Sequence, residues 1–485
     1  MDAAGMKPFV SLLFTAVLSA GCSAPTKPAL TDGAQKDLSF CDTCVRPDAP
    51  ATDVVLVLVD TLRADHLGTY GYRRDTSPVI DQIAAEGTVF EQAYAHSGWT
   101  LTSTASLLTG QLPHEHRLAR SSTHQDQFGK LDPNADTLAS RLREKGYRTA
   151  AFINNVFLTP ELGLNKGFEH YEFYGASNFE HRSAHDTVAS ALQWVDGLDS
   201  DEPTFLLIHL FEPHLSYIAS EKTAGVFVRT TPDYPVDLTQ ETRDGVFPPP
   251  ALASALVAGT YQPTPAQKSH LEALYDEEVL LVDHAVAALR EGLQARERWD
   301  NTLFMLTSDH GEEFWDHNAF EHGHTLFGEL VRVPLILRGP AVPVRRVSAP
   351  SRGVDVYQTG IAAAGISDRP SVRGRDLRLG ADLPTDVSVV HENTLYGPQK
   401  AAITREGYRF LIDMSSGQGS LWAVDPTGQA DVFVDDPKKR EHIGRGLFDE
   451  LRALRGDLKP FTVETSSTAL SADAIQKLIS LGYVE

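Results

Sequence analysis

The chain has 485 residues, 42% of them apolar, so it can bury a large core and is long enough for more than one structural unit. With 43 Lys and Arg against 65 Asp and Glu, the formal charge is −22, which excludes nucleic acid or an anionic membrane surface as a bulk electrostatic partner. An anionic substrate must therefore be held by local features such as a cation, histidines or helix N-termini.

At the N-terminus, Lys7 precedes the apolar stretch from Phe9 to Ala20, and Gly21 and Cys22 follow. The stretch is too short for a retained membrane helix, which needs roughly 20 residues. It suits a lipoprotein-type signal peptide over residues 1–22, with Cys22 as the acylated first residue, although Leu18 sits one position earlier than the usual pattern. Residues 23–52, with Pro25, Pro28, Gly33, Pro47 and Pro50, read as a flexible tether. Cys41 and Cys44 lie in that tether without a second pair, which favours a local disulfide in an oxidising compartment over a zinc site. The expectation is an exported protein of the bacterial cell envelope, held to the membrane by lipid.

The apolar run Val54 to Val59 reads as a buried strand that ends in Asp60. Ser77 and Pro78 open a helix to Glu86, and Val89–Tyr94 is β-like. Trp99 to Gly110 reads as a short helix capped by its Thr/Ser cluster and ended by Gly110. A helix over Asp136–Lys145, a strand over Thr149–Ile153, a helix over about 184–197 and a strand over Thr204–Phe211 follow. Residues 218–262 are Pro/Thr-rich and read as an irregular binding loop or lid. A long helix from Pro265 to Ala295 then leads to the strand from Thr302, which ends in Asp309 and His310. Val333–Leu337 reads as a strand and Val354–Ala364 as a helix. This alternation predicts an α/β fold with a mostly parallel central sheet flanked by helices over 53–384. From 385 to 485, short runs at Val387–His391, Ala401–Ile403, Arg409–Asp413 and Leu421–Val424, with a helix over Ile443–Leu454, predict a smaller α+β subdomain with an antiparallel sheet.

In an open α/β sheet the carboxyl ends of the strands form the ligand crevice. Asp60, Asp309 and His310 at two such ends, with the Thr100 hydroxyl, are the candidate cation ligands. Taken singly, an Asp at a strand end is more often a turn or cap residue than a ligand, and two such ends with the Thr cluster reverse that. Thr100, at a helix N-terminus, is the candidate nucleophile. His214 lies just past a strand end in Glu212-Pro213-His214, where a proton donor to the leaving oxygen would sit. The loop Phe320–His324 adds His322 and His324, and this pair with Glu212 and His214 makes a candidate second metal or substrate site, Glu212 and His322 foremost.

Together, Leu58 to Gly68, Tyr70-Gly71-Tyr72, Thr76-Ser77-Pro78, Ser106 to Gly110, Glu212-Pro213-His214, Thr307 to Glu312, Arg332-Val333-Pro334 and the closing Leu470 to Tyr483 resemble the sulfatase family of the alkaline phosphatase superfamily. The resemblance implies a large alkaline-phosphatase-like α/β domain with a smaller C-terminal one, a divalent cation (calcium by family, manganese or zinc as alternatives), and hydrolysis of sulfate, phosphate or phosphonate esters of a small molecule, glycan or lipid. It puts Asp60, Thr100, Asp309 and His310 at metal and nucleophile positions and His214 near the leaving group. Many sulfatases carry a catalytic lysine near 320–324. No lysine occurs here between Lys268 and Lys400, so His324, with His322 as the alternative, would cover that role.

The chain also departs from the pattern. Where formylglycine sulfatases carry Cys or Ser in a Cys/Ser-x-Pro-x-Arg pentad, Thr100 to Thr104 stand here, and the usual second acid after Asp60 is Thr61. Threonine cannot yield the aldehyde, because its β-carbon carries a methyl group, so no formylglycine is expected and Thr100 would have to form a covalent ester itself. Two further functions stay open on sequence grounds: a phospho-group transferase acting on a cell-envelope acceptor, and a lipid-anchored binding protein with impaired catalysis.

Overall fold

The computed structural model describes residues 52–121, 127–175, 181–218, 220–234, 246–367, 373–425, 430–461 and 468–480. Cys22, Cys41, Cys44 and the expected leader and tether lie outside these residues. Among the described residues, no helix is long and apolar enough to cross a membrane.

The first half of the large unit contributes β1 (Asp53–Val59), α1 (Pro78–Ala85), β2 (Thr88–Phe90), β3 (Ala93–Tyr94), α2 (Thr100–Thr109), α3 (Leu138–Glu144), β4 (Arg148–Ile153), β5 (His170–Phe173), α4 (Ala184–Val195) and β6 (Thr204–Leu210). The second half adds α5 (Pro250–Val257), α6 (Pro265–Ala295), β7 (Thr302–Ser308), β8 (Arg332–Val333), β9 (Leu335–Arg338), β10 (Arg345–Val347), β11 (Ser351–Arg352) and α7 (Gly353–Ala363). Eight strands form the main sheet in the order β10-β2-β9-β7-β1-β6-β4-β5. Only β9 runs against the others in this sheet, antiparallel to both β7 and β2. Every residue of β1, β6 and β7 is buried, as central strands covered on both faces require. On one face Leu56 and Leu58 pack with α2, α3 and α7. On the other, Val55, Val57 and Val59 pack with α1, α4 and α6. Pro265 in the first turn and a reciprocal Thr264–Gln267 capping box fix the start of α6.

The C-terminal subdomain is a five-stranded antiparallel sheet of β12 (Val389–Glu392), β13 (Lys400–Arg405), β14 (Tyr408–Asp413), β15 (Gly419–Val424) and β16 (Asp431–Phe433), followed by α8 (Arg445–Arg455). The chain then returns to the large unit. Thr468–Ala469 pairs with Gln127–Phe128, and the helix Ala472–Ser480 sets Ala474 and Leu478 into the core of the large unit.

Four expectations differ from what is observed. The insertion is not wholly irregular: Tyr217–Ile218 pairs with Val246–Phe247, and α5 buries Leu252, Ala253 and Leu256. Its Ala/Leu composition behind a first-turn proline outweighs the Pro/Thr content around it. The expected strand Val333–Leu337 divides at Pro334, which has no N–H to donate, so β8 pairs with β3 while β9 joins the main sheet. Val89–Tyr94 divides in the same way between β2 and β3. Finally, Trp99 rather than a hydroxyl residue is the N-cap of α2, with no side-chain cap bond.

Candidate active site

Register sets the centre. Val59 lies opposite Ser308 in the parallel β1–β7 pair, so Asp60 and Asp309 leave the sheet side by side. Leu58 lies opposite both Thr307 and His209, and side chains two apart on a strand share a face, so His209 stands directly below the two acids. Asp60, His209 and Asp309 form a fully buried group whose ligand atoms lie within 4.8 Å of one another. His209 was not anticipated from sequence. The available signal was a single imidazole in an otherwise apolar central strand.

His310 closes the group from above. Its Nδ1 is 2.9 Å from the Gly311 carbonyl, which can only accept, so Nδ1 carries the proton. Its Nε2 faces Thr100 Oγ1 at 3.2 Å, Asp309 Oδ2 at 3.4 Å and Asp60 Oδ1 at 3.6 Å. Gly311 serves this turn through close approach: a Cβ there would stand 2.0 Å from the Glu329 carbonyl oxygen. Thr100 reaches the group as the first residue of α2, whose entry is fixed by Trp99, with Nε1 donating to Asn393 Oδ1 at 2.9 Å. Asn155, also unanticipated, follows β4 and donates from Nδ2 to Asp60 Oδ2 at 2.6 Å.

These residues fit a cation. Asp60 Oδ1, Asp309 Oδ2 and both ring nitrogens of His209 are buried without a hydrogen-bond partner. Burial, and then the charge of Asp309, push the Asp60 carboxyl well above the usual range. Burial lowers His209 to about 4, which leaves it neutral and able to coordinate. Two uncompensated acids beside a neutral imidazole are costly in a dry interior, and a divalent cation removes that cost.

The other histidines form a wall beside this group. The His322 ring centroid is 4.4 Å from that of His310 and 5.0 Å from that of His214, and His214 stacks on Phe211 at 4.6 Å. Burial lowers His214 to about 3, and its Nδ1 points to the Leu215 carbonyl. His322 Nδ1 meets buried Glu312 Oε1 at 3.0 Å. His324 instead turns to Glu313 Oε2 at 2.8 Å and is partly exposed. The structure thus brings His322, rather than His324, against His310 and His214. Glu212 accepts from Ala184 N at 3.0 Å and lies 3.4 Å from His181 Nε2. Among the described residues, Glu212, His214 and His322 do not converge as a second metal group.

The sulfatase family model matches residues 52–366. This chain belongs to the sulfatase family. It is 24% identical to a Delta 4,5-hexuronate-2-O-sulfatase of Bacteroides thetaiotaomicron over 432 residues, covering 80% of this chain and 87% of that one. Among solved structures, a 2-O GAG sulfatase superposes with a TM-score of 0.66 at 19% identity, covering 84% of this chain and 93% of the other. The phosphonate monoester hydrolase of Agrobacterium radiobacter gives 0.64 at 19% identity, covering 83% and 96%. The fold expected from sequence is the fold observed, and this sulfatase-family chain is an ester hydrolase with a buried Asp/His/Asp group suited to a metal.

Proposed function

We propose that this sulfatase-family enzyme cleaves sulfate or phosphate-type esters with Thr100 as the direct nucleophile. The observation that carries the reading is the position of Thr100 Oγ1, 3.2 Å from His310 Nε2 beside the Asp60–His209–Asp309 group. Asp60, Asp309, His209, His310 and Thr100 would hold the cation, and two imidazoles among the donors suit manganese or zinc better than calcium, which prefers oxygen ligands alone. When bound, the cation supplies charge stabilisation at the Thr100 oxygen and at the transferred group.

Thr100 Oγ1 attacks sulfur or phosphorus, the bond to the leaving oxygen breaks, and that oxygen takes the proton Thr100 gave up. His214 is the residue proposed to pass that proton, because its ring packs against His322 in the wall beside His310. His322, held by Glu312, faces the transferred oxygens, and His324 at the rim contacts the rest of the substrate. Water then hydrolyses the Thr100 ester. An aldehyde hydrate expels sulfate by collapse, and a threonine ester cannot, so the second step depends on how well water is delivered. The hexuronate 2-O-sulfatase relative points to a sulfated glycan as substrate class, while the threonine equally suits phosphate esters.

The test is a side-by-side assay of aryl sulfate, aryl phosphate and bis-aryl phosphate with wild type and Thr100→Ala. Turnover should fall about 10³-fold or more in the variant; equal rates would remove Thr100 from the mechanism. Faster discharge by an added alcohol than by water would make the enzyme a transferase. Export belongs to the proposal as well: incorporation of labelled palmitate should vanish in Cys22→Ser, and unchanged labelling would sink the anchor assignment.

A further inference from the structure

Asn155 is a further polar group touching the proposed nucleophile, and its orientation is fixed at both ends. Its Oδ1 accepts from Phe157 N at 2.9 Å, capping the short turn Val156–Leu158, so the amide cannot flip without losing that cap. Its Nδ2 must then point the other way, toward Asp60 Oδ2 at 2.6 Å and Thr100 Oγ1 at 3.3 Å. An amide nitrogen carries two hydrogens, one for each of these acceptors. The side chain is 1% exposed, so water does not compete for either bond.

We infer that Asn155 is a catalytic hydrogen-bond donor to the Thr100 oxygen, and that its main effect is on release of the covalent ester rather than on its formation. This rests on the reading of Thr100 as nucleophile. In the first step electron density leaves Thr100 Oγ1 as its bond to sulfur or phosphorus forms, so a donor there stabilises the reactant at least as much as the transition state. In the second step a water oxygen bonds to that sulfur or phosphorus while the bond to Thr100 Oγ1 breaks. The electron pair of the broken bond passes to Oγ1, which ends protonated by the proton the water lost. Charge therefore grows on Oγ1 only in the second step, where a fixed, dry N–H donor is most effective. A threonine ester has this requirement, and an aldehyde hydrate does not.

The test compares wild type with Asn155→Leu, which keeps the size and loses the donors, and Asn155→Asp, which keeps the Phe157 cap and loses the donors. All are assayed on the aryl ester turned over fastest, at saturating Mn²⁺ or Zn²⁺. Both variants should lose about 10²-fold in kcat. Quenched samples should show a larger fraction of enzyme carrying the mass of the ester on the Thr100 peptide, with a burst of released phenol before the slow phase. Isothermal titration of the same proteins with the cation separates the alternative. If Asn155 only holds Asp60, cation affinity drops and saturating cation restores kcat with no rise in adduct, which overturns the inference. Unchanged kcat in both variants, with adduct present in wild type, overturns it while leaving Thr100 in place. Absence of adduct in every protein, with Thr100→Ala as active as wild type, or no turnover of any aryl ester, overturns both readings.

Discussion

Thr61 has a φ of 54°, a left-handed backbone that a β-branched residue adopts at a cost of roughly 1–3 kcal/mol. The turn is held there by its surroundings. Thr61 N points to Asp309 Oδ1 at 3.4 Å, its carbonyl accepts from Tyr275 at 2.8 Å, and Leu62 N donates to Ser308 Oγ at 3.0 Å. The strain is located where Asp60 must be turned toward Asp309, between the strand end and the site. His209 is the residue on which the assignment of ligands depends most. Replacing His209 by Ala should weaken Mn²⁺ or Zn²⁺ binding by about 10–100-fold, the range found when support around a metal is removed. Titration calorimetry on the purified full chain decides it, and wild-type affinity would strike His209 from the ligand set. Removing the cation with a chelator should lower Tm and restoring it should raise Tm again. A melting curve indifferent to both would argue against an occupied site.

At the scale of the element, α2 matters most, because its first residue is the proposed nucleophile. All ten of its residues are buried, including six hydroxyl side chains. Helix interiors tolerate such residues when they are hydrogen-bonded, locally as Thr109 Oγ1 is to the Ala105 carbonyl at 2.6 Å, or to a neighbouring segment as Thr102 Oγ1 is to the Leu118 carbonyl at 2.7 Å. Gly110 ends the helix with a φ of 68°, accessible to glycine without penalty. Gly110→Ala should therefore cost about 1–2 kcal/mol in urea unfolding. A value near zero would mean that the end of α2 refolds around the change.

At the scale of the whole molecule, the C-terminal sheet grips the loop that carries His322 and His324. Leu395 N and Tyr396 N donate to the Gly323 carbonyl at 2.7 and 2.9 Å, Lys400 Nζ donates to the His324 carbonyl, and Gly328 N donates to Asp431 Oδ2 at 2.6 Å. Asp431 is paired with the fully buried Arg409. Arg409→Met would leave that carboxylate unpaired in the interior and should cost about 3–5 kcal/mol. Loss of activity should accompany the drop in Tm, because the His322 loop loses its support; full activity in a folded variant would show the grip to be dispensable. His317 joins the same contact, 2.7 Å from Glu329 and 3.2 Å from the Asp431 carbonyl. Burial alone would lower its pKa, yet the Glu329 hydrogen bond and charge outweigh that and raise it to about 9. A raised folded pKa means the stabilisation is complete below about 6.5, the unfolded value, and is lost as pH rises through about 9. Tm should fall over that window in wild type and more shallowly in His317→Gln, and two superimposable pH profiles would refute the assignment.

Much of this protein was decided by its sequence alone. The uninterrupted apolar runs ending in Asp60 and in Asp309-His310 can only be central strands of a covered sheet, because a half-exposed strand would alternate. The helix Pro265–Ala295 was legible to the residue, since its proline and capping box are local signals. The expectation that Thr100 stands in place of the aldehyde precursor is likewise read from one position. What needed the tertiary structure was every relation between strands. His209 became part of the site only through the β1–β6 register, which places it on the same face as Asp60. Asn155 entered through the parallel neighbour β4, whose end delivers it to Asp60 and Thr100. That His322 rather than His324 lies against His310 and His214 followed from which carboxylate each imidazole met, Glu312 or Glu313. A sequence lists such residues at distances of tens to hundreds of positions, and only the register of the folded sheet brings them within hydrogen-bond range.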